Sequence, residues 1–295
     1  MIKFIKYTPW YIAFSLSIFA ILVGGFIYKR ATRGYAFIYS VDYTGGTQVL
    51  FKFSKPMHSE EVAKILEKNG LQGVVSRNFA ADEVLVRVSE HKGDSKGLAE
   101  NMKEMLEKEV PGLHADLRQI DSVGASTGES LWIKSLQAIL LGLLLMLLYT
   151  WWRFWSLAFG IGVWVSLFHD AIVILGFFML FDYEISSGVI AALMMILGYS
   201  INDTIVIFSR VRENIAKLKN VPMSEIVDIS FNETLRRTML TSFATMLVIV
   251  ALLIFGGHTL RGLSVALLVG IVFGTYSSIA VASPVMLWLY KGKNN

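Results

Sequence analysis

The sequence predicts an α-helical polytopic membrane protein with six transmembrane helices and an α+β domain outside the membrane between helices 1 and 2. Three observations predict this fold class. Hydrophobic residues make up 54% of the 295 residues and charged residues 17%, too little charge to cover a soluble protein of this size. Six apolar runs are long enough to cross a bilayer as helices. A segment of about 100 residues between the first two runs has the composition of a soluble domain.

Each predicted span is an apolar run close to the roughly 20 helical residues that a bilayer core requires. The first span is too long for a secretory signal peptide, and no good cleavage site follows it, so we expect it to be retained. The six predicted spans cover residues 10–28, 133–151, 157–180, 185–208, 239–255 and 263–289.

The distribution of Lys and Arg predicts the orientation. If the N-terminus is cytoplasmic, the inside segments hold eleven Lys and Arg residues, and the two short outside loops hold one, Arg261. This asymmetry follows the positive-inside rule and places both termini in the cytoplasm. Residues 1–28 then form the N-terminus and helix 1, 29–130 form the extracytoplasmic (periplasmic) domain, and 131–295 hold helices 2–6 with a cytoplasmic loop at 209–236.

The outside segment has the pattern of a small α+β domain. Hydrophobic alternation predicts strands at 47–53, 74–79, 83–88 and 114–120, and helical spacing predicts helices at 59–69 and 98–110. The resulting order, βαββαβ, is that of a ferredoxin-like fold. Because this architecture hosts many functions, it identifies none by itself.

The cytoplasmic loop 209–236 carries charged residues around Ile226, Ile229 and Phe231. This pattern predicts an amphipathic helix at the membrane surface. Contact with a partner protein and attachment to anionic lipid are both open as its role.

Several function classes are excluded by composition and motif content. The net charge of +4 is too even a balance for a nucleic-acid binder, and the chain has no Cys and only five His without paired spacing. We therefore predict no metal and no organic cofactor. The segment 124–128 formally matches the G-x-S-x-G nucleophile motif but lacks its strand and helix context, so we interpret it as a flexible linker and predict no enzyme.

An ionisable side chain inside a membrane span is costly, at least ~2.5 kcal/mol, and usually functional. Asp203 lies near the cytoplasmic end of the fourth span, and Arg237 lies at the start of the fifth. A proton relay site is one interpretation, since burial and a nearby cation act oppositely on a carboxyl group. A permanent ion pair between two helices is the other. Asn202 and Ser200 either line a hydrated path or form interhelical hydrogen bonds.

His169 and Asp170 lie near the middle of the third span. Asp170 is a candidate second relay carboxylate or a buried packing group, and His169 is a candidate proton carrier or a hydrogen-bonded structural residue.

The sixth span contains a GxxxG pattern, Gly270 to Gly274, with Ser277 and Ser278 about one turn further on. Such small residues allow helices to approach closely. A partner interface, a sliding contact and packing within the chain all remain open.

Asp42, Gly45 and Gly46 follow the first span. A glycine pair permits positive φ and a tight turn. The Lys and Ser or Thr of a phosphate-binding loop are missing, so we interpret the segment as a turn that positions the outside domain.

Five motifs in order along the chain carry a family resemblance. They are DYTGGT at 42–47, LFHD at 167–170, GYSINDTIV at 198–206, RVREN at 210–214 and ETLRRT at 233–238. The first resembles the signature of the SecD and SecF protein-export subunits of the resistance-nodulation-division (RND) superfamily, and the others resemble the SecF branch specifically.

The resemblance implies a subunit that uses the proton-motive force, together with a SecD-like subunit, to assist Sec-dependent export across the bacterial cytoplasmic (inner) membrane. It maps the family's intramembrane Asp and Arg onto Asp203 and Arg237, with protons as the coupling ion. The implied partners are SecD, the SecYEG translocon, optionally YajC, the unfolded preprotein and membrane lipids, and no nucleic acid. Two other hypotheses stay open: half of an RND-type proton-coupled exporter, and a translocon-binding scaffold without proton transfer.

Overall fold

The computed structural model describes residues 2–88 and 94–290, so Lys291 and Lys293, two of the predicted cytoplasmic basic residues, lie outside the described residues. Within these ranges six helical segments are long and apolar enough to cross a membrane, which confirms the six predicted spans. The chain divides into two compact units: Met1–Ile38 with Gln137–Asn295, and Tyr39–Leu136.

In chain order, the helices and strands follow a single 3-10 turn at Ile5–Tyr7. They are α1 (Thr8–Arg33), β1 (Ile38–Tyr39), α2 (Val41–Thr44), β2 (Gly46–Phe53), α3 (Ser59–Lys68), β3 (Val75–Ala80), β4 (Glu83–Val88), α4 (Ser95–Glu109), β5 (Ala115–Val123), α5 (Ala125–Phe154), α6 (Leu157–Leu180), β6 (Glu184–Ile185), α7 (Ser187–Lys217), α8 (Met223–Phe255), α9 (Gly257–Ala280) and α10 (Ala282–Leu289).

Most spanning helices are longer than the predicted apolar runs. Only α6 has the predicted bounds, whereas α1, α5, α7 and α8 continue through polar residues at one or both ends. Backbone hydrogen bonding does not stop where the apolar run stops, because the helix satisfies its own polar groups in water as well as in lipid. The sixth span is two helices, α9 and α10, which meet at Val281. Pro284 follows this break, and proline cannot donate the backbone hydrogen bond of a continuous helix.

The prediction of one continuous helix over 209–236 is wrong. Instead, α7 continues to Lys217 and α8 begins at Met223, with a short turn between them. The apolar side chains of this segment face protein, since Ile226 and Phe231 are buried and the Phe231 ring packs edge-on against Phe4.

The flexible linker predicted at 124–128 is also wrong. Strand β5 runs to Val123 and α5 begins at Ala125. A residue larger than glycine fits poorly at position 128, because a Cβ atom there would lie 3.0 Å from the carbonyl oxygen of Tyr43.

The Tyr39–Leu136 unit contains a four-stranded antiparallel sheet in the order β3-β4-β2-β5. Helices α3 and α4 cover the sheet, and alternate residues of β2 and β4 face them, as expected for a sheet with one buried face. The fully buried side chains of this core include Val49, Phe51, Val62, Leu66, Val84, Val86, Met102 and Leu106.

In the helical unit, α9 packs closely on α7. Gly270 lies against Ile196, and Gly274 lies against Ser200, with no room for a larger side chain at Gly270. The GxxxG pattern therefore serves packing within the chain, which was one of its open interpretations. By contrast, the apolar part of α5 contains no buried residue within the described chain.

Candidate functional site

Asp203 lies on α7 where this helix meets α8 and α9. Its side chain is 4% exposed. Ser242 of α8 approaches its carboxyl oxygen at 3.5 Å, and the same hydroxyl lies 2.8 Å from the hydroxyl of Thr275 on α9. Among the described residues, the hydrogen-bonding neighbours of this carboxyl group are neutral hydroxyl groups.

Arg237 is exposed near the start of the spanning part of α8. It is close enough to Asp203 to interact with it electrostatically, but in the described part of the chain no ion pair joins the two side chains. This geometry differs from the permanent ion pair that was one interpretation of the sequence.

Asp170 on α6 is completely buried. Its Oδ2 accepts hydrogen bonds from Ser200 of α7 at 2.6 Å and from Ser277 of α9 at 2.9 Å. Nδ1 of the adjacent His169 lies 3.2 Å from Oδ1. The carboxyl group therefore connects three helices through short polar contacts.

A layer of hydroxyl groups lies between α7 and α9. Thr204, the residue after Asp203, donates to Ser278 at 2.9 Å, and Ser278 in turn lies 2.9 Å from the carbonyl oxygen of Gly274. Hydroxyl groups both donate and accept protons, so such a layer can rearrange its hydrogen bonds.

Asn202 is not part of this buried arrangement. It is exposed, whereas its neighbours Ile201 and Asp203 are buried, because adjacent helix residues point about 100° apart. The structure brings together His169 and Asp170, buries Asp203 separately against Ser242, and leaves Asn202 exposed on α7.

A second polar cluster joins the ends of α7 and α8. Glu233 accepts hydrogen bonds from Arg210 and Asn214, each at 2.7 Å, and Asn214 also donates to Ser230 at 3.0 Å. Glu233 lies one helical turn before Arg237, and Arg210 lies two turns after Asp203. The cluster therefore fixes the register of the two helices that carry Asp203 and Arg237.

The turn at Asp42 to Gly46 packs on the start of α5. Both glycines have positive φ, +68° at Gly45 and +109° at Gly46, a conformation that other residues rarely adopt. The hydroxyl of Tyr43 lies 3.1 Å from that of Ser135. Burial raises the pKa of the Tyr43 phenol, against the opposing effect of the Ser135 hydrogen bond. This geometry is that of a tight turn that connects strand β2 to the start of helix α5 by side-chain and backbone contacts.

An ion-pair cluster that the sequence analysis did not identify lies at the ends of α1 and α6. Lys29 is buried and donates to the Asp182 carboxylate at 2.6 Å, and Arg33 donates to the same group at 3.0 Å. Burial alone would raise the pKa of Asp182, but the two cationic donors outweigh it and lower the pKa. The signal in the sequence was a Lys and an Arg four residues apart at the end of an apolar run.

In the described ranges, no group of three or more His, Cys, Asp or Glu side chains is arranged to hold a metal ion. The buried site contains carboxyl, imidazole and hydroxyl groups, all of which exchange protons.

A bundle of six spanning helices with buried carboxyl groups, and with an α+β unit inserted after the first helix, defines a polytopic membrane transport protein. Residues 102–292 match the family model described as protein export membrane protein SecD/SecF, C-terminal. The chain belongs to the SecF family of protein translocase subunits, which are transport components of the inner membrane rather than enzymes.

Two curated relatives illustrate the similarity. The protein translocase subunit SecF of Desulfurispirillum indicum is 38% identical over 282 residues, which cover 93% of this chain and 88% of the relative. The subunit of the same name from Vibrio alginolyticus is 37% identical over 290 residues, 97% of this chain and 90% of the relative.

Solved structures of SecDF are similar to the whole chain. A crystal structure of SecDF from Thermus thermophilus, described as a translocon-associated membrane protein, matches with a TM-score of 0.85 at 35% identity. A second structure, of SecDF in a super-membrane-facing form, matches with a TM-score of 0.68 at the same identity. Each match covers 97% of this chain and 38% of the SecDF chain, so SecDF contains much that this chain lacks.

Proposed function

We propose that this chain pairs with a SecD-like subunit and uses the proton-motive force to assist Sec-dependent export of proteins across the cytoplasmic membrane. Asp203 carries the proton, and Arg237 modulates its charge. The observation that supports this proposal best is the burial of Asp203 at a junction of three helices without an ion-pair partner among the described residues.

The positions of the two residues support a coupling between proton binding and helix movement. An ionised Asp203 attracts Arg237, and a protonated Asp203 does not, so binding and release of a proton change the force between α7 and α8. Asp170, His169 and Asn202 are further candidates for the relay, with Asp170 next in rank because it is also buried.

The available driving force is sufficient. One charge that crosses 100 mV releases about 2.3 kcal/mol, and one pH unit adds about 1.4 kcal/mol. Together they can change a two-state equilibrium roughly 10²-fold, which is enough to bias a change in helix packing.

The proposal also covers the fold of the Tyr39–Leu136 unit, the orientation of the chain and its partners. The antiparallel order β3-β4-β2-β5 with two crossover helices supports a ferredoxin-like domain. The excess of Lys and Arg in the predicted inside segments supports cytoplasmic termini and an extracytoplasmic position for this domain. The SecYEG translocon, the unfolded preprotein and, optionally, YajC are the proposed partners, besides SecD and membrane lipids.

The test compares wild type with Asp203→Asn, each reconstituted with a SecD-like subunit and translocon, and measures completion of preprotein export with and without a proton gradient. Asp116→Asn is the matched control, since it makes the same change at an exposed residue of the other unit. We expect the gradient to accelerate export in wild type and the control, and not in Asp203→Asn at equal assembly. An equal response of all three proteins contradicts the role of Asp203.

The orientation has its own test, because the chain contains no Cys. A membrane-impermeant thiol reagent added outside should label Ser95→Cys and not Lys219→Cys. The reverse pattern contradicts the proposed orientation.

A further inference from the structure

In the pair formed by His169 and Asp170, one ring nitrogen of His169 has no hydrogen-bond partner among the described residues. Both side chains are buried, with 3% and 0% exposure. The His169 ring directs Nδ1 to Asp170, but its other nitrogen, Nε2, is buried and has no hydrogen-bond partner in the described part of the chain. A buried polar atom without a partner is rare and costs free energy, so it indicates a ligand or a functional state.

The charge balance of this pair requires a proton. Asp170 accepts hydrogen bonds from Ser200 and Ser277, which are neutral, and within the described residues its ion pair is with His169. If the imidazole is neutral and the carboxyl group ionised, one negative charge is buried without a counter-charge. One proton held by the pair, on the ring or on the carboxyl group, removes this charge.

We propose that His169 and Asp170 form a second proton-binding site, separate from Asp203, which holds one proton and exchanges it with water at Nε2. The proposal rests on the proton-coupled function above and specifies how two of its further relay candidates act as one unit. In uptake, an O–H bond of hydronium breaks, an N–H bond forms at Nε2, and water remains. The Asp170 carboxylate balances the charge of the imidazolium through Nδ1–H.

The His169 ring contacts two aromatic side chains. It packs edge-on against Phe19 of α1 at 5.4 Å between centroids, and lies 6.0 Å from the ring of Tyr276 on α9. The Tyr276 hydroxyl donates to the carbonyl oxygen of Tyr11 at 2.9 Å and lies 3.1 Å from the Ser15 hydroxyl. The Tyr276 side chain therefore contacts the His169 ring and, through its hydroxyl, polar atoms of α1.

Among the described residues, few other titratable groups lie next to the pair on the helices that pack on α6. Tyr276 on α9 contacts the His169 ring, whereas the α7 carboxyl group, Asp203, lies at Ser242 of α8. On the other sides, α1 presents Phe19 to His169, and α10 contains no titratable residue. The imidazole and the Asp170 carboxyl group are therefore each other's ionisable partners in the described part of the chain.

The test observes the ring nitrogens of His169 directly. The full chain is produced with isotope-labelled histidine, reconstituted in lipid nanodiscs and studied by solid-state NMR between about pH 5 and pH 9. The chain has five histidines, so loss of one signal set in His169→Gln assigns His169. His114→Gln is the matched control, because it removes a histidine whose side chain is 87% exposed.

We expect His169 to gain and lose one proton at Nε2 in this range. In Asp170→Asn the imidazolium signal of the ring should be lost, because the amide cannot balance the imidazolium charge. Ring signals that do not change with pH, or an imidazolium signal that is the same in Asp170→Asn, overturn the proposal. If Asp170→Asn does not accumulate, the titration of the wild-type chain decides.

The two proposals fail separately. A pH-insensitive His169, combined with lost gradient dependence of export in Asp203→Asn, removes this site and leaves the proposed function. Wild-type export that ignores the gradient removes the proposed function, whatever the NMR titration gives.

Discussion

Substitution of Asp182 by Asn measures what one ion-pair cluster contributes to the helical unit. The ammonium group of Lys29 donates to Asp182 at 2.6 Å and to the main-chain oxygens of Met179 and Leu180 at 2.8 and 3.1 Å. The amide keeps the shape of the side chain but removes the charge that balances a buried Lys. A charge-assisted hydrogen bond contributes about 1.5–3 kcal/mol.

Two features of the cluster place the expected loss near the lower end of that range. The two main-chain acceptors of Lys29 remain in the variant, and the Asp182 side chain is 30% exposed, so solvent screens part of the interaction. We therefore expect a loss of about 2 kcal/mol in the free energy of unfolding. For a chain of 295 residues that corresponds to a decrease of about 3 °C in Tm.

Tryptophan fluorescence provides the assay, since the chain contains seven Trp residues. Thermal unfolding is followed for wild type, Asp182→Asn and Glu213→Gln in the same lipid nanodiscs. Glu213→Gln is the matched control, because it removes a carboxylate that pairs with Arg210 at 2.7 Å but is 54% exposed. Its effect should stay within about 0.5 kcal/mol. Equal decreases in Tm for the two variants would refute the argument from burial.

The pH dependence gives a second check on Asp182. Its pKa is lowered in the folded chain. A carboxyl group with a lowered pKa contributes stability that is fully present above its ordinary pKa, about 3.9, and is lost as the pH falls through the folded value. The Tm difference between wild type and Asp182→Asn should be constant from about pH 5 to pH 8 and should shrink only below about pH 4. A difference that disappears near neutral pH contradicts this assignment.

Two further substitutions probe other contacts. Gly128→Ala places a Cβ atom 3.0 Å from the carbonyl oxygen of Tyr43 and should lower stability by about 1–3 kcal/mol in thermal unfolding. Gly24→Ala, where no atom lies within 4 Å of the added Cβ, should cause no loss, and equal losses would contradict the steric argument. Glu233→Gln removes the charge that pairs with Arg210 at 2.7 Å and should accelerate proteolysis of the turn between α7 and α8 several-fold. The control Glu213→Gln, at an exposed pair, should leave proteolysis unchanged. The same result for Glu233→Gln would exclude a role of Glu233 in joining these helices.

The sequence by itself determined the membrane class, the six spans and the local elements of the inserted unit. An apolar run of about 20 residues has few alternatives to a spanning helix, because lipid offers no partner for the backbone. Glu83–Val88 was predicted and observed with the same bounds, since alternation of buried and exposed residues is a local signal. The positions of Asp203, Asp170 and His169 in their spans were likewise evident from the sequence.

Only the tertiary structure decided which of these side chains have partners. The hydroxyls of Ser242, Thr275 and Ser278 look alike in sequence, yet Ser242 approaches Asp203 and Ser278 pairs with Thr204. Lys29 and Asp182 are 153 positions apart, and no local pattern connects them. Hydropathy and periodicity describe how one segment meets its surroundings, whereas a polar contact inside a bundle depends on the rotation and register of two helices at once. That geometry is set by the close packing of all the helices, and in the described chain it leaves Asp203 and Arg237 without the direct ion pair that was one of two interpretations of the sequence.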